Sequence, residues 1–130
     1  MKKAAESWLK QAEEDIRYAK SALEDGFYAW ACFAAQQSAE ESLKAVLVEK
    51  QDTVEKSHRL IHLAKQAEQF IPGISSVRDK LDVLNQYYGA TRYADLHDSA
   101  APYEQYDKGL AAEAIEFAKE VFKVVKSELK

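Results

Sequence analysis

Residues that interrupt helices are rare in this chain and lie far apart. Glycine occurs only at positions 26, 73, 89 and 109, and proline only at 72 and 102, in a chain of 130 residues. Because glycine and proline are the strongest local breaks in secondary structure, their scarcity leaves long uninterrupted segments. These segments lack the alternating pattern of strands. The sequence therefore predicts an all-α fold, an up-and-down antiparallel bundle of four to five helices, in a single domain over residues 1–130.

Apolar residues recur every three or four positions in most of these segments, as they do on the buried face of a helix. The first segment carries this pattern from residue 5 to residue 23. The segment SHRLIHLAKQAEQF predicts a helix with Ser57 as its N-cap and Phe70 facing the core. A fourth helix is expected from about residues 75–76 to Gly89, and a fifth from Asp107 onwards with Leu110 inside.

The second segment, FYAWACFAAQQSAEESLKAVLVEK, begins with nine consecutive apolar residues. A helix that is apolar on every side must be covered all round, either at the centre of a bundle or by a second subunit. Glu40 and Lys44 lie one turn apart and are expected to form a favourable pair that contributes a few tenths of a kcal/mol. Gln36, Gln37 and Glu40 are expected to be structural hydrogen bonders, with contact to a groove as the alternative.

Charge and cysteine content restrict the ligands and the compartment. A formal net charge of −4 gives no general attraction for nucleic acid, so any contact with RNA must be local. Cys32 is the only cysteine and lies in the apolar run, which predicts a buried, unreactive thiol in a reducing compartment. The N-terminus lacks the apolar run of a signal peptide, and no later stretch is long enough to span a membrane. We therefore expect a cytoplasmic protein without membrane contact.

Residues 89–106 lack apolar periodicity and contain the stretch GATRYADLH. Structureless connections of more than about 12–15 residues are uncommon in compact domains and are usually functional or disordered. The tyrosines at 93, 103 and 106 argue against disorder. We expect a loop that packs over the bundle with its polar groups pointing outward.

Arg92 and His97 in this stretch have the chemistry that metal-independent RNA cleavage requires. Histidine titrates near neutral pH and can take or give the proton, while the forked guanidinium of arginine supplies a fixed positive charge for the phosphate. Tyr93 is suited to stacking on a base. The alternative is a solvated loop in which Arg92 pairs with Asp95 or Asp98.

Metal and cofactor sites are not predicted. His58 and His62 lie one turn apart in the expected third helix and could share a metal ion, but no third ligand is evident. We favour His58 near the helix start and His62 at the border of the core. No glycine-rich phosphate loop is present, so no nucleoside triphosphatase site and no cofactor are expected.

Three stretches together resemble a known family. They are WLKQAEEDIRYAKSALEDGFYAWACFAAQQSAEESLKAVLVEK, SHRLIHL and YYGATRYAD, and the chain resembles a HEPN domain, named for higher eukaryote and prokaryote nucleotide binding. The resemblance covers nearly the whole chain. It implies an up-and-down bundle that forms a homodimer. Many prokaryotic members are encoded beside a minimal nucleotidyltransferase, and such pairs are described as toxin and antitoxin.

Active members of the wider superfamily are metal-independent ribonucleases with an arginine, four to six residues and a histidine, a spacing that Arg92 and His97 satisfy. Tyr93 and Ser99 depart from that catalytic pattern. We therefore favour a dimeric module that binds a nucleotide or a nucleotidyltransferase partner, with Arg92, Tyr93 and Asp95 in the binding site. The alternative is a ribonuclease toxin in which Arg92 and His97 from both subunits act together on RNA.

Overall fold

The computed structural model describes residues 1–53, 56–93 and 100–129, and helices make up most of this part of the chain. The α-helices are α1 (Lys3–Glu24), α2 (Tyr28–Gln51), α3 (Leu60–Glu68), α4 (Arg78–Asn85), α5 (Tyr87–Ala90), which is a single turn, and α6 (Lys108–Glu128). Short 3-10 helices at Pro72–Val77 and Pro102–Gln105 precede α4 and α6. No strand occurs in the described ranges, and the predicted all-α bundle is confirmed.

Helices α1 and α2 form an antiparallel hairpin. Gly26 turns the chain between them with φ of +84°, a conformation that L side chains rarely adopt. Midway along the pair, the Ser38 hydroxyl donates a hydrogen bond of 2.7 Å to the carbonyl of Ala12. At the far end, the backbone N–H of Lys2 donates to the carboxylate of Glu49 over 2.7 Å. These contacts fix the register along the whole hairpin.

Helix α2 is the centre of the bundle, which explains why its first half is apolar on every side. It packs against α1, α3, α4, α5 and α6. Its core residues include Leu43 and Leu47, both fully buried. The chain itself therefore covers most of α2, and only Trp30 and the preceding Phe27 leave large apolar surface exposed at the N-terminal end. No helix formed by the described residues is long and apolar enough to cross a bilayer.

Helix α3 starts later than its sequence pattern predicts. It begins at Leu60, so Ser57 is not its N-cap, although the Ser57 hydroxyl accepts a 3.1 Å hydrogen bond from the N–H of Arg59. The N–H of Leu60 is instead satisfied by the side-chain oxygen of Asn85, 2.8 Å away at the end of α4. Tertiary packing, rather than a local residue, thus sets this boundary.

Two residues that the sequence pattern places in the core, Phe70 and Leu110, are partly exposed in the structure. Phe70 is 36% exposed because α3 ends at Glu68, and the turn that follows buries Ile71 in its place. Leu110 is also 36% exposed, since the buried stripe of α6 runs through Ala111, Ala114 and Ile115. The predicted start of α6 agrees with the structure, because the Asp107 side chain accepts a 2.9 Å hydrogen bond from the N–H of Leu110.

The sequence predicts that a helix ends at Gly89, but the structure does not show this end. Helix α5 passes through Gly89 to Ala90, and the hydroxyl of Thr91 then donates to the carbonyl of Tyr87 over 2.6 Å. Glycine is permitted within a helix, and the buried Tyr87 holds this turn against the core. The turn positions the residues that follow it.

Candidate functional site

Arg92 lies two residues after the end of α5 and is surrounded by aromatic rings. Its guanidinium carbon is 4.2 Å from the centroid of the Phe33 ring, 4.9 Å from that of Tyr93 and 5.1 Å from that of Tyr88. A guanidinium over aromatic faces gains cation–π attraction, and its N–H groups, which lie in its own plane, can still form hydrogen bonds. We call Arg92, Phe33, Tyr88 and Tyr93 the Arg92 cluster.

Hydrogen bonds further fix the orientation of Arg92. Its Nε donates to the carbonyl of Tyr88 over 3.3 Å, and Nη2 donates to the hydroxyl of Tyr93 over 3.2 Å. The ring of Tyr93 is nevertheless 47% exposed. None of the ion pairs within the described residues includes Arg92. The arrangement is a positive charge held beside an exposed aromatic ring.

Two residues of the sequence-predicted site, Asp95 and His97, lie outside the described residues, as does Asp98. The pairing of Arg92 with His97 for catalysis stays a prediction, and so does a contact between Arg92 and either aspartate. Of the predicted ligand-binding residues, the structure brings together Arg92 and Tyr93.

Tyr88 connects the Arg92 cluster to a second histidine. The imidazole of His58 stacks on the Tyr88 ring, with centroids 4.6 Å apart and planes 13° from parallel. Nδ1 of His58 lies 3.0 Å from Oε2 of Glu40, while half of its side chain remains exposed. Because His58 precedes α3, it does not share a helical face with His62, which contacts Gln66. Within the described ranges, no group of three potential metal ligands occurs.

Glu40 and Lys44 form a buried ion pair on α2. Their side chains are 5% and 6% exposed, and Nζ of Lys44 donates to Oε2 of Glu40 over 2.9 Å. The amide of Gln36 donates to the other oxygen of Glu40 over 3.2 Å. The expected stabilisation of a few tenths of a kcal/mol applies to pairs on the helix surface, and it does not describe this pair, because its charges are desolvated. The predicted role of Glu40 as a structural hydrogen bonder agrees with these contacts.

An aromatic surface continues from the Arg92 cluster along α1 and α2. Tyr18 and Trp30 are 50% and 48% exposed, and the ring of Trp30 meets that of Phe33 edge to face at 5.9 Å. These three residues, together with Asp15 and Gln37, border a shallow groove. We call Tyr18, Trp30 and Phe33 the aromatic edge. Since Phe33 belongs to both groups, the aromatic edge and the Arg92 cluster form one continuous surface.

Glu41 lies beside this surface, next to Asp15 of α1. Burial is the largest cause that raises the pKa of Glu41 to about 9. A hydrogen bond with Asp15 and the negative charges of Asp15 and Glu40 raise it further, and Lys44 acts in the opposite direction. Oε1 of Glu41 has no hydrogen-bond partner within the described part of the chain. Glu41 is therefore a neutral carboxylic acid at pH 7.

Cys32 has the properties that its apolar neighbours predict. It is fully buried, and burial raises the pKa of its thiol to about 12, with smaller contributions from the charges of Asp107 and Glu113. A thiol in this state is neither a nucleophile nor a metal ligand at neutral pH.

Three residues of this region were not assigned to the site from the sequence. In the sequence, Phe33 lies in the run of nine apolar residues, Tyr88 lies in the expected fourth helix, and His58 is a candidate only for metal binding. A signal was nevertheless present, since Glu40 and Lys44 lie on the helix whose apolar first half predicts that other parts of the protein surround it. A buried charge requires ion-pair or hydrogen-bond partners, and a polar residue elsewhere in the chain must supply some of these partners.

Comparison with known proteins gives a consistent assignment. The family model described as HEPN domain matches residues 5–128. The protein named "Putative toxin MJ1304" from Methanocaldococcus jannaschii is 28% identical, with 98% of this chain and 90% of that protein covered. The crystal structure of TT1696 from Thermus thermophilus has a TM-score of 0.90 at 33% identity, covering 95% of this chain and 97% of that one. ST0689, an archaeal HEPN homologue, has a TM-score of 0.80 at 33% identity over the full length of both chains.

Proposed function

Because the chain belongs to the HEPN family, we propose that it is a dimeric binding module of a toxin-antitoxin-like pair, with Arg92 and Tyr93 contacting a nucleotide or RNA. The observation that carries this proposal is the Arg92 cluster, in which aromatic rings hold the guanidinium beside the exposed ring of Tyr93. Such a site pairs a fixed positive charge for phosphate with a surface on which a base can stack. Asp95, two positions further on, is the third proposed ligand-binding residue.

The proposed partner is a minimal nucleotidyltransferase, following the resemblance to stand-alone prokaryotic HEPN proteins. The relative named as a toxin supports a toxin-like role for this chain. A nucleotidyltransferase handles nucleotides itself, so a HEPN module with a nucleotide-binding site is a chemically suitable partner. No resident cofactor or metal ion is part of this proposal.

The aromatic edge is the proposed surface of the homodimer. Tyr18 and Trp30 together expose a contiguous aromatic surface that is costly to leave in water, and aromatic residues are enriched in the centres of protein interfaces. Since Phe33 contacts both Trp30 and Arg92, a twofold interface at the aromatic edge would place the Arg92 clusters of both subunits at the dimer interface.

Replacement of Arg92 tests the binding site. We expect Arg92→Ala to weaken binding of a fluorescently labelled single-stranded RNA about tenfold or more, because a charge-assisted contact to phosphate is lost. Arg92→Lys should recover little, since an ammonium neither stacks as guanidinium does nor forms two parallel hydrogen bonds. Arg17→Ala, which removes an exposed arginine on α1, is the matched control. Fluorescence anisotropy in EDTA measures the affinities, and equal affinity for Arg92→Ala and the control would exclude this site.

Replacement of Trp30 tests the dimer surface. Trp30→Lys is expected to shift the protein from dimer to monomer at micromolar concentration, because a charge would lie in an apolar interface. Phe70→Lys changes an exposed aromatic residue after α3 and should leave the dimer intact. Sedimentation velocity gives the mass of each variant. A wild-type monomer, or a Trp30→Lys dimer as stable as that of Phe70→Lys, would contradict the proposed interface.

A metal-independent ribonuclease is the second candidate function. It is supported by the spacing of Arg92 and His97 and by the relative that carries the name of a toxin. In the RNA assay with EDTA, strand cleavage that disappears in both Arg92→Ala and His97→Ala would establish this activity in place of simple binding. Intact RNA in the presence of saturating protein would favour the binding module.

A further inference from the structure

A groove lined by basic residues lies next to the Arg92 cluster. It is bordered by residues 56–59, which precede α3, and by Asn85, Tyr88 and Gly89, and its volume is about 500 Å³. Cavities of this size accept small organic ligands such as nucleotides. We call it the His58 groove.

The His58 groove differs in charge from four other grooves on the described surface. Its described lining contains Lys56, His58 and Arg59 and no carboxylate. This is unexpected for a chain with a net charge of −4. Each of four other grooves is lined by at least one acidic residue, drawn from Glu6, Glu13, Asp15 and Glu104. The groove is therefore a local site for an anion on an acidic protein.

His58 is held in place from inside the bundle. Its Nδ1 faces Oε2 of the buried Glu40 at 3.0 Å, and its ring stacks on Tyr88, so both the rotation and the tilt of the imidazole are fixed. A carboxylate at Nδ1 leaves Nε2, on the opposite side of the ring, to interact with a ligand. Nearly half of the side chain is accessible to that ligand.

The buried charges behind His58 are difficult to explain by stability alone. Desolvating Glu40 and Lys44 costs free energy that their mutual attraction only partly offsets, and apolar residues of the same size usually serve a core at least as well. One amide oxygen, Oε1 of Gln36, is also fully buried next to Glu40 and has no partner in the described structure. A carboxylate that orients an exposed histidine is a functional reason to keep this costly arrangement.

His58 and Arg92 flank the same ring. Both the His58 imidazole and the Arg92 guanidinium lie about 5 Å from the centroid of Tyr88, so the two groups are within about 10 Å of each other. One nucleotide unit can extend over such a distance. Basic residues spaced along a groove with aromatic rings between them are typical of sites for single-stranded nucleic acid.

We propose that the His58 groove is a second phosphate subsite, in which His58 contacts the phosphate next to the one held by Arg92. The group that His58 contacts is a nucleotide phosphate. It belongs either to single-stranded RNA or to a free nucleotide that carries more than one phosphate. This inference rests on the proposed function, because it extends the ligand that Arg92 binds. Lys56 and Arg59 supply long-range attraction, and His58 supplies the directed contact.

Binding assays with His58→Ala test the subsite. The probes are a labelled single-stranded oligouridylate, followed by anisotropy, and the free nucleotides UMP and ATP, followed by calorimetry. We expect His58→Ala to weaken the affinity for the bound probe about five- to tenfold, as for loss of one directed phosphate contact. His62→Ala, a histidine outside the groove, should change the affinity less than about twofold. His58→Gln keeps a hydrogen-bond donor for Glu40 and serves if His58→Ala fails to fold.

The pattern of effects identifies which proposal fails. A loss with oligouridylate but not with ATP assigns the subsite to RNA, and a loss with ATP but not with UMP assigns it to a free polyphosphate nucleotide. If Arg92→Ala loses binding while His58→Ala and His62→Ala behave alike, the second subsite is wrong and the proposed function stands. If the wild-type protein binds none of the probes, both proposals are wrong.

Discussion

Replacing Lys44 by methionine is expected to lower the free energy of unfolding by about 3–5 kcal/mol, although the two side chains have similar length. The reason is that Glu40 would keep its charge in the centre of the bundle without its main partner, since its carboxylate is only 5% exposed. Gln36 and His58 would remain as donors, and neither carries the permanent charge of lysine. Urea unfolding followed by circular dichroism at pH 7 measures the loss.

A matched pair on the surface provides the control for Lys44. Lys119 donates to Glu116 over 3.2 Å, one turn away on α6, and both side chains are well exposed. Lys119→Met should change stability by less than about 1 kcal/mol, because water screens the unpaired carboxylate. Adding Glu40→Gln to Lys44→Met should restore part of the loss. Similar values for Lys44→Met and Lys119→Met, at equal protein concentration, would show that burial of the pair is energetically unimportant.

Replacing Glu41 by glutamine is expected to stabilise the protein at pH 8 by up to about 5 kcal/mol and to have almost no effect near pH 4. The folded protein raises the pKa of Glu41 from 4.5 to about 9, so the folded state binds a proton that the unfolded state releases. The favourable contribution of neutral Glu41 is complete below about pH 4.5. It declines as the pH rises to about 9, because only the unfolded chain gains from ionisation in that interval.

Glutamine has the shape of protonated glutamic acid and no proton to lose, so Glu41→Gln should flatten the decline between pH 5 and pH 9. Thermal and urea unfolding across that range measure the difference. Glu13→Gln, at an exposed position of α1, should leave the pH profile unchanged. Parallel profiles for the wild type and Glu41→Gln would mean that Glu41 is ionised in the folded protein at neutral pH.

The helical architecture was predictable from the chain because it depends on local patterns. Rare glycine and proline, apolar periodicity and the Asp107 cap are properties of short segments, and they gave the all-α class and the start of α6. The nine apolar residues from position 27 to position 35 required cover on every side. The bundle supplies most of that cover by surrounding α2 with five other helices.

Boundaries and faces that depend on distant partners were less predictable. The start of α3 is set by Asn85, which is 25 residues away from the N–H it satisfies, and no local signal reports such a contact. Phe70 and Leu110 lie near the ends of helices, where a change of one residue in the boundary moves a side chain to another face. Helix ends are therefore where periodicity is least informative.

For the candidate site, the sequence proposes Arg92 and Tyr93, because arginine, tyrosine and the family resemblance coincide in one short stretch. Tyr88 belongs to the same stretch, four residues before Arg92, whereas only tertiary structure could join this stretch to Phe33 and His58, which come from two other segments of the chain. Tertiary structure also decides that Glu40 is buried, whereas its spacing to Lys44 alone predicts the weak ion pair of a helix surface. Spacing along a helix determines which side chains are neighbours, whereas burial, which sets the energy of their charges, depends on every helix packed around them.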